Sequence, residues 1–286
     1  MKPEFYDLRR LAADIRIQTI RAMEKFGSGH IGGSMSIADI LAVLYGRVLR
    51  YKAEHPGWED RDRFVMSKGH CGPAQYAALA ISGFFPIDWL STLNQGGTRL
   101  PSHCDSNKTP GIDASTGSLG QGVSVACGLA QGAALKGQKH ITYALLGDGE
   151  LQEGQVWEAI QFAVARKLDR LVMLIDNNGM QLDGPTISKD IDLAPKFRSF
   201  GCEVYETNGH DVAKVSPLLE KIRDNAPRSG KPTVVILKTT KGCGCVFAEE
   251  KAVNHHLPVS AEDAGRAIDE IERRLATGLL PGGEVA

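Results

Sequence analysis

Residues 141–184 read ITYALLGDGELQEGQVWEAIQFAVARKLDRLVMLIDNNGMQLDG, and this stretch decides the fold. A β-rich run at 141–146 ends in Gly147-Asp148-Gly149, and a second run at 171–175 ends in Asp176-Asn177-Asn178-Gly179. Between them Val156, Trp157, Ile160 and Val164 recur at helical spacing. Strand, helix, strand predicts a parallel pair with a helical crossover. Leu171-Val172-Met173-Leu174-Ile175 does not alternate, as expected of a strand covered on both faces. Both polar clusters then fall at the carboxyl ends of parallel strands, where open α/β sheets bind ligands.

The same pattern extends outward. Short β-rich runs at 64–66, 202–206 and 233–237 supply three more strands. Leu8, Leu11 and Ile15 form one face of a first helix, and Val215, Leu218, Leu219 and Ile222 form another. Ser36 is placed to cap a helix through Ile37, Leu41 and Leu44. Ser260 with Asp263 resembles a capping box ahead of Ala264, Ile268, Ile271 and Leu275. The expected fold is α/β, a mostly parallel sheet with helices on both faces. One domain is expected over 1–275, followed by a flexible Gly-rich tail over 276–286. Residues 119–135 hold Gly120, Gly122, Ala126, Gly128, Ala130, Gly132 and Ala133. So many small residues permit close packing, either within the domain or across a subunit interface.

Composition narrows the function classes. The 286 residues are 42% hydrophobic and 23% charged, with net charge −1. Acids and bases are mixed, so neither nucleic acid nor an anionic membrane is an expected partner. No apolar run is long enough to span a bilayer, and residues 1–10 lack a signal-peptide core, so a cytoplasmic location is expected. Cysteines at 71, 104, 127, 202, 243 and 245 are too scattered for a disulfide framework. Cys243 and Cys245 are too close for the usual zinc pair, which leaves buried thiols as the reading.

The two polar clusters suit a metal diphosphate. A hard divalent cation such as magnesium takes a carboxylate, an amide carbonyl, a backbone carbonyl and phosphate oxygens. Asp148 and Asn178 supply the first two. Gly147 and Gly149 let the backbone approach phosphates, and helix amino termini favour their charge. Gly-Asp-Gly alone is common. Followed by a helix, a strand and Asn177-Asn178, it matches the thiamine-diphosphate motif.

With that motif in place, the chain resembles the amino-terminal half of transketolase over nearly its whole length. The supporting matches are Ser28-Gly29-His30; Asp62-Arg63-Phe64 leading to Ser67-Lys68-Gly69-His70; Arg99 with His103; residues Thr116-Gly117-Ser118-Leu119-Gly120-Gln121-Gly122; the metal motif; and Gly209-His210-Asp211. The resemblance implies a thiamine-diphosphate-binding (PP-type) fold. It implies thiamine diphosphate and Mg²⁺ as cofactors, with Ca²⁺ or Mn²⁺ as substitutes for the ion. Asp148, Asn178 and the Met180 carbonyl would ligate the metal. His70, Gly147 and Gly149 would contact the diphosphate, with Gly117 and Leu119 along the cofactor. His30 and His103 would face the sugar, joined by His255 or His256.

Each of these histidines also has a purely structural reading, as His55 and His140 do. Histidine fits the substrate role because it donates to hydroxyls or moves a proton near neutral pH. His210 is expected to shape a turn. Glu153 lies where the family places an acid at the contact between cofactor domains; the competing reading is a solvated carboxylate favoured by a helix dipole.

The resemblance also shows what is missing. In this family the glutamate that assists the aminopyrimidine lies on a second, pyrimidine-binding domain of the neighbouring subunit. The chain has no room for that domain, so a naturally split enzyme is expected ahead of a fragment of a longer chain. The implied partner is a C-terminal transketolase-type subunit in an α2β2 heterotetramer. The implied reaction moves a two-carbon ketol unit from a ketose phosphate to an aldose phosphate. The alternatives are a non-catalytic thiamine-diphosphate-binding module and a subunit resembling 1-deoxyxylulose-phosphate synthase.

Overall fold

Successive side chains of a strand point to opposite faces, so strands without alternation need cover on both sides. In the computed structural model, which describes residues 8–225, 229–279 and 281, that requirement organises the whole chain. In chain order the elements are α1 (Leu8–Phe26), β1 (Ser28–Gly29), α2 (Ile31–Ser36), α3 (Ala38–Val43), β2 (Arg63–Met66) and α4 (Gly72–Ile81). Then come α5 (Gln121–Leu135), β3 (Thr142–Gly147), α6 (Gly154–Ala165), β4 (Leu171–Asn177), α7 (Leu193–Ser199) and β5 (Glu203–Asn208). The chain continues with α8 (Val212–Asn225), β6 (Thr233–Lys238), α9 (Val246–Glu249), β7 (Leu257–Pro258) and α10 (Ala261–Ala276).

Five strands form one parallel sheet in the order β2-β3-β4-β6-β5. Tyr143 and Leu145 of β3 and Val172 and Leu174 of β4 join the core beneath α1, α3, α4 and α8. Their neighbours Ala144, Leu146, Met173 and Ile175 join the core beneath α5, α6 and α7. Helices therefore cover both faces, as the sequence predicts. A two-residue antiparallel pair, β1 with β7, clips the start of the chain to its last quarter. The register of β3 and β4 sets Gly147 opposite Asp176, which brings the two polar clusters to the same level at the carboxyl ends of the strands.

Two local expectations need revision. Ser36 does not cap a helix: it ends α2, Ile37 occupies the turn, and α3 starts without a side-chain cap. The Ser36 hydroxyl reaches Asp176 Oδ2 at 2.7 Å and the Gly33 carbonyl at 3.0 Å, because the site beneath it needs the donor. Ser260 does cap α10, accepting from Asp263 N at 3.1 Å. Its hydroxyl donates back to the Asp263 carboxylate at 2.9 Å, in place of the reciprocal backbone bond of a capping box. α10 ends at Ala276, and Leu279 N–H bonds back to the Arg274 carbonyl. Of the tail expected to fray, residues 280 and 282–286 lie outside the described residues.

His210 takes a structural place. Its Nε2 accepts from Thr240 N at 2.9 Å, so Nδ1 carries the proton and donates to Asp39 at 3.0 Å. Asp39 also holds Arg16 through both terminal guanidinium nitrogens, at 2.5 and 3.2 Å. Arg16 is 1% exposed and donates further to the carbonyls of Cys243 and Met35. Burial opposes both charges, and their mutual attraction outweighs it, holding the arginine up and the aspartate down in pKa. Asp39→Asn should strand the Arg16 charge and cost about 3–5 kcal/mol of stability. Urea denaturation at neutral pH measures this; a loss below about 1 kcal/mol would contradict the pair's role.

Candidate active site

Parallel strands all open their carboxyl ends to one side, and the loops leaving β2, β3, β4 and β6 surround a cavity of about 500 Å³ there. Behind its lining lies Asp176, fully buried at the end of β4. Its Oδ2 accepts from Lys68 Nζ at 2.5 Å, Ser36 Oγ at 2.7 Å and Asn178 Nδ2 at 2.9 Å. Oδ1 accepts from the Thr239 hydroxyl. Burial opposes its charge, but Lys68 and these donors outweigh that and hold the carboxyl ionised. Lys68 is 2% exposed and also donates to the Gly33 carbonyl.

This hub orients the next residues. With Asn178 Nδ2 committed to Asp176, its Oδ1 turns the other way, where it accepts from Met180 N at 3.0 Å. Asp148, 4% exposed, accepts backbone N–H bonds from Gly149 at 2.8 Å and from Gly179. Gly179 makes that approach with φ +73°, a conformation that favours glycine. Burial, reinforced by the nearby Asp176 charge, pushes the Asp148 carboxyl up to about 6. The site thus offers a buried carboxylate whose charge is short of compensation, beside an amide oxygen. Among the described residues no three His, Cys, Asp or Glu side chains gather to hold a metal. An ion held here would need Asn178, a backbone carbonyl and an anionic ligand to complete its shell.

The opposite wall is histidine. His30 stands at its centre, with ring centroids 5.3 Å from His70, 5.4 Å from His103, 5.3 Å from His255 and 4.7 Å from His256. Burial, then the neighbouring histidines and Lys241, lowers His30 to about 3; burial and Lys241 lower His255 to about 4. His70 and His103 are also lowered, chiefly by burial. His30, His70, His103 and His255 are therefore held in the neutral form at pH 7. Lys241 Nζ donates to the Gln181 carbonyl at 2.6 Å and lies 3.3 Å from His255 Nδ1. Lysine has only donors, so Nδ1 of His255 accepts and Nε2 carries the proton.

The cavity brings together His30, His70, His103, His255, Gly117, Leu119, Gly147, Asp148, Gly149, Glu153, Asn178 and Met180. It leaves out His256, an exposed residue that lines a separate small hollow with Phe26 and Pro73. The geometry therefore separates the two histidines that the sequence left equivalent. Sequence reasoning missed Lys241, buried on the loop after β6, and Ser36 and Thr239, whose hydroxyls serve Asp176. It also gave no role to Glu150, whose side chain turns inward. Nothing in a Thr239-Thr240-Lys241 string signals a site. Only the β4–β6 pairing, Asn177 beside Lys238, brings it to Asp176 and Asn178.

Residues 8–274 match the family model described as transketolase, thiamine diphosphate binding domain. The chain belongs to this family. It is 44% identical over 275 residues to the 6-deoxy-6-sulfo-D-fructose transketolase subunit SqwG of Clostridium sp. (strain MSTE9), covering 96% of this chain and 99% of that protein. It is 42% identical to an apulose-4-phosphate transketolase subunit of Actinobacillus succinogenes, covering 85% of this chain and 88% of that one. Among solved structures, transketolase from Leishmania mexicana superposes with a TM-score of 0.84 at 31% identity, over 98% of this chain and 42% of that one. The transketolase-type thiamine-diphosphate domain is thus a match in sequence and in fold.

Neutral histidines in the folded state set a pH dependence. His30 and His255 are depressed below their unfolded value of 6.5, so the unfolded chain binds the protons first on acidification. Stability should be fully present above about pH 6.5 and fall as pH drops, down to about 4 for the His255 contribution and about 3 for that of His30. His30→Asn should flatten that fall, as measured by denaturation midpoints across the range; an unchanged slope would contradict the assignment.

Proposed function

We propose that this chain transfers a two-carbon ketol unit from a ketose phosphate to an aldose phosphate, using thiamine diphosphate and Mg²⁺ and acting with a separate pyrimidine-binding subunit. The observation that carries the reading is the single cavity in which an oxygen-donor pair, Asp148 and Asn178, faces a neutral histidine wall. A non-catalytic module would have no use for that wall.

In this reading Asp148, Asn178 Oδ1 and the Met180 carbonyl hold the ion. His70, Gly147, Gly149 and Lys241 face the diphosphate, and Gly117 and Leu119 lie along the cofactor. Bound thiamine diphosphate supplies the nucleophilic carbon and the electron sink for carbon–carbon cleavage. His30, His103 and His255 bind the sugar hydroxyls and move protons. Their neutrality lets each donate from one ring nitrogen and accept at the other. Lys241 keeps the donor of His255 at Nε2. Of the two adjacent histidines, His255 is favoured because it lines the cavity and His256 does not. The domain proper covers 1–275, ahead of a short tail.

Two observations support the separate partner. The relatives that are themselves subunits are matched over 99% and 88% of their length, whereas single-chain transketolases are matched over about 42%. On α5, Gly122 packs inward, where a Cβ would come within 2.6 Å of the Ser67 Cα, while a Cβ at Gly128 or Gly132 would meet no other part of the chain within 4 Å. With Val125 and Phe162 also exposed, that outer face suits a closely packed second subunit, Glu153 lying at its edge, in an α2β2 assembly. Among the described residues no helix is long and apolar enough to cross a membrane. Six free, buried cysteines fit a reducing cytoplasmic setting.

The test combines the chain with its partner subunit, Mg²⁺, thiamine diphosphate and ketose-phosphate donors, and measures ketol transfer. Asp148→Asn should lower the rate more than about 100-fold while leaving the assembly intact on gel filtration. Activity within threefold of wild type would overturn the metal assignment. Full activity of the chain alone would overturn the partner.

A further inference from the structure

Glu150 sits two residues past Asp148, in the short turn Gly149–Gln152, and is 1% exposed. Its carboxylate accepts from three donors: Ser67 Oγ at 2.5 Å and Gly120 N at 2.9 Å on Oε1, and Gly147 N at 3.2 Å on Oε2. The three donors belong to three separate parts of the chain. Ser67 follows β2 and immediately precedes Lys68 and His70. Gly120 precedes α5 with φ +82° and follows Gly117 and Leu119. Gly147 ends β3 and precedes Asp148.

Each donor is thus the root of one piece of cavity wall, and one buried carboxylate holds all three. Burial of that charge is costly, and an apolar side chain of similar volume would stabilise the fold at least as well. What an apolar residue could not do is fix three loops at one spacing. We propose that Glu150 is a positioning residue: it sets the register of the Ser67, Gly120 and Gly147 loops so that the groups beyond them meet one cofactor. Its carboxylate oxygens are both engaged by these three donors. The proposal rests on the thiamine-diphosphate reading of the cavity and goes beyond it by assigning the device that preforms it.

Length and charge can be separated. Glu150→Gln keeps an oxygen for Ser67 and Gly120 but turns an amide N–H₂ toward Gly147 N–H. Glu150→Asp keeps the charge but is one methylene too short to reach all three donors. Isothermal titration of thiamine diphosphate and Mg²⁺ into the complex of this chain with its partner subunit, well below each variant's unfolding midpoint, reads the result. Wild type should bind, Glu150→Gln should bind about 10-fold more weakly, and Glu150→Asp about 100-fold more weakly. Equal binding by all three overturns the proposal. Weaker binding by Gln than by Asp also overturns it, since charge rather than geometry would then govern. If the Glu150 variants do not fold, Ser67→Ala should still weaken binding at least about threefold, and unchanged binding by that variant overturns the proposal. Failure of wild type to bind is a separate outcome, which removes the cofactor reading itself.

Discussion

The Asp176 carboxylate, saturated by Lys68, Ser36, Asn178 and Thr239, is the contact on which the rest of the site depends. A carboxylate with no exposed surface is tolerated only when it is paired and hydrogen-bonded throughout. Removing one partner of such a pair typically costs about 3–5 kcal/mol, because the remaining charge stays buried. Its four partners come from the loop after β2, the end of α2, the turn after β4 and the end of β6. One side chain thereby gathers the elements that line the cavity, and it also fixes which atom of Asn178 faces outward.

Electrostatics then follow from position. Asp176 is neutralised by Lys68, whereas Asp148 has only backbone N–H partners and stands near a second negative charge. Two carboxyls at neighbouring strand ends are driven to opposite sides of the usual carboxylate range, one structural and one ready for a cation. Across the cavity, burial and mutual repulsion keep the histidines uncharged, with Lys241 reinforcing the effect. The result is a cation-seeking floor beneath a neutral, hydrogen-bonding wall. A diphosphate bound with its metal at one end and a polyhydroxylated substrate at the other would meet both.

Much of this was legible in the sequence because it depends on local patterns. The five strands, the parallel order implied by helical crossovers, and the Gly147–Gly149 and Asp176–Gly179 clusters are all written in contiguous residues. His30, His70 and His103 are marked by glycine- or proline-containing loops. What was not legible depends on pairing at a distance. Ser36 looked like a helix cap because serine before an apolar run usually is one; its true partner lies 140 positions away. His255 and His256 were equivalent on paper, and only the fold shows that His255 lines the large cavity while His256 lines a smaller hollow that His30 also borders. Lys241 and Thr239 carry no motif, and the sheet order alone brings them to the site.

The most direct measurement is a crystal structure of the chain grown with thiamine diphosphate and Mn²⁺, with data collected at the manganese absorption edge. An anomalous peak within bonding distance of the Asp148 carboxylate and the Asn178 carbonyl, with the diphosphate beneath the histidine wall, is the predicted result. Manganese elsewhere, or a diphosphate bound away from the loops that leave β3 and β4, would contradict the account.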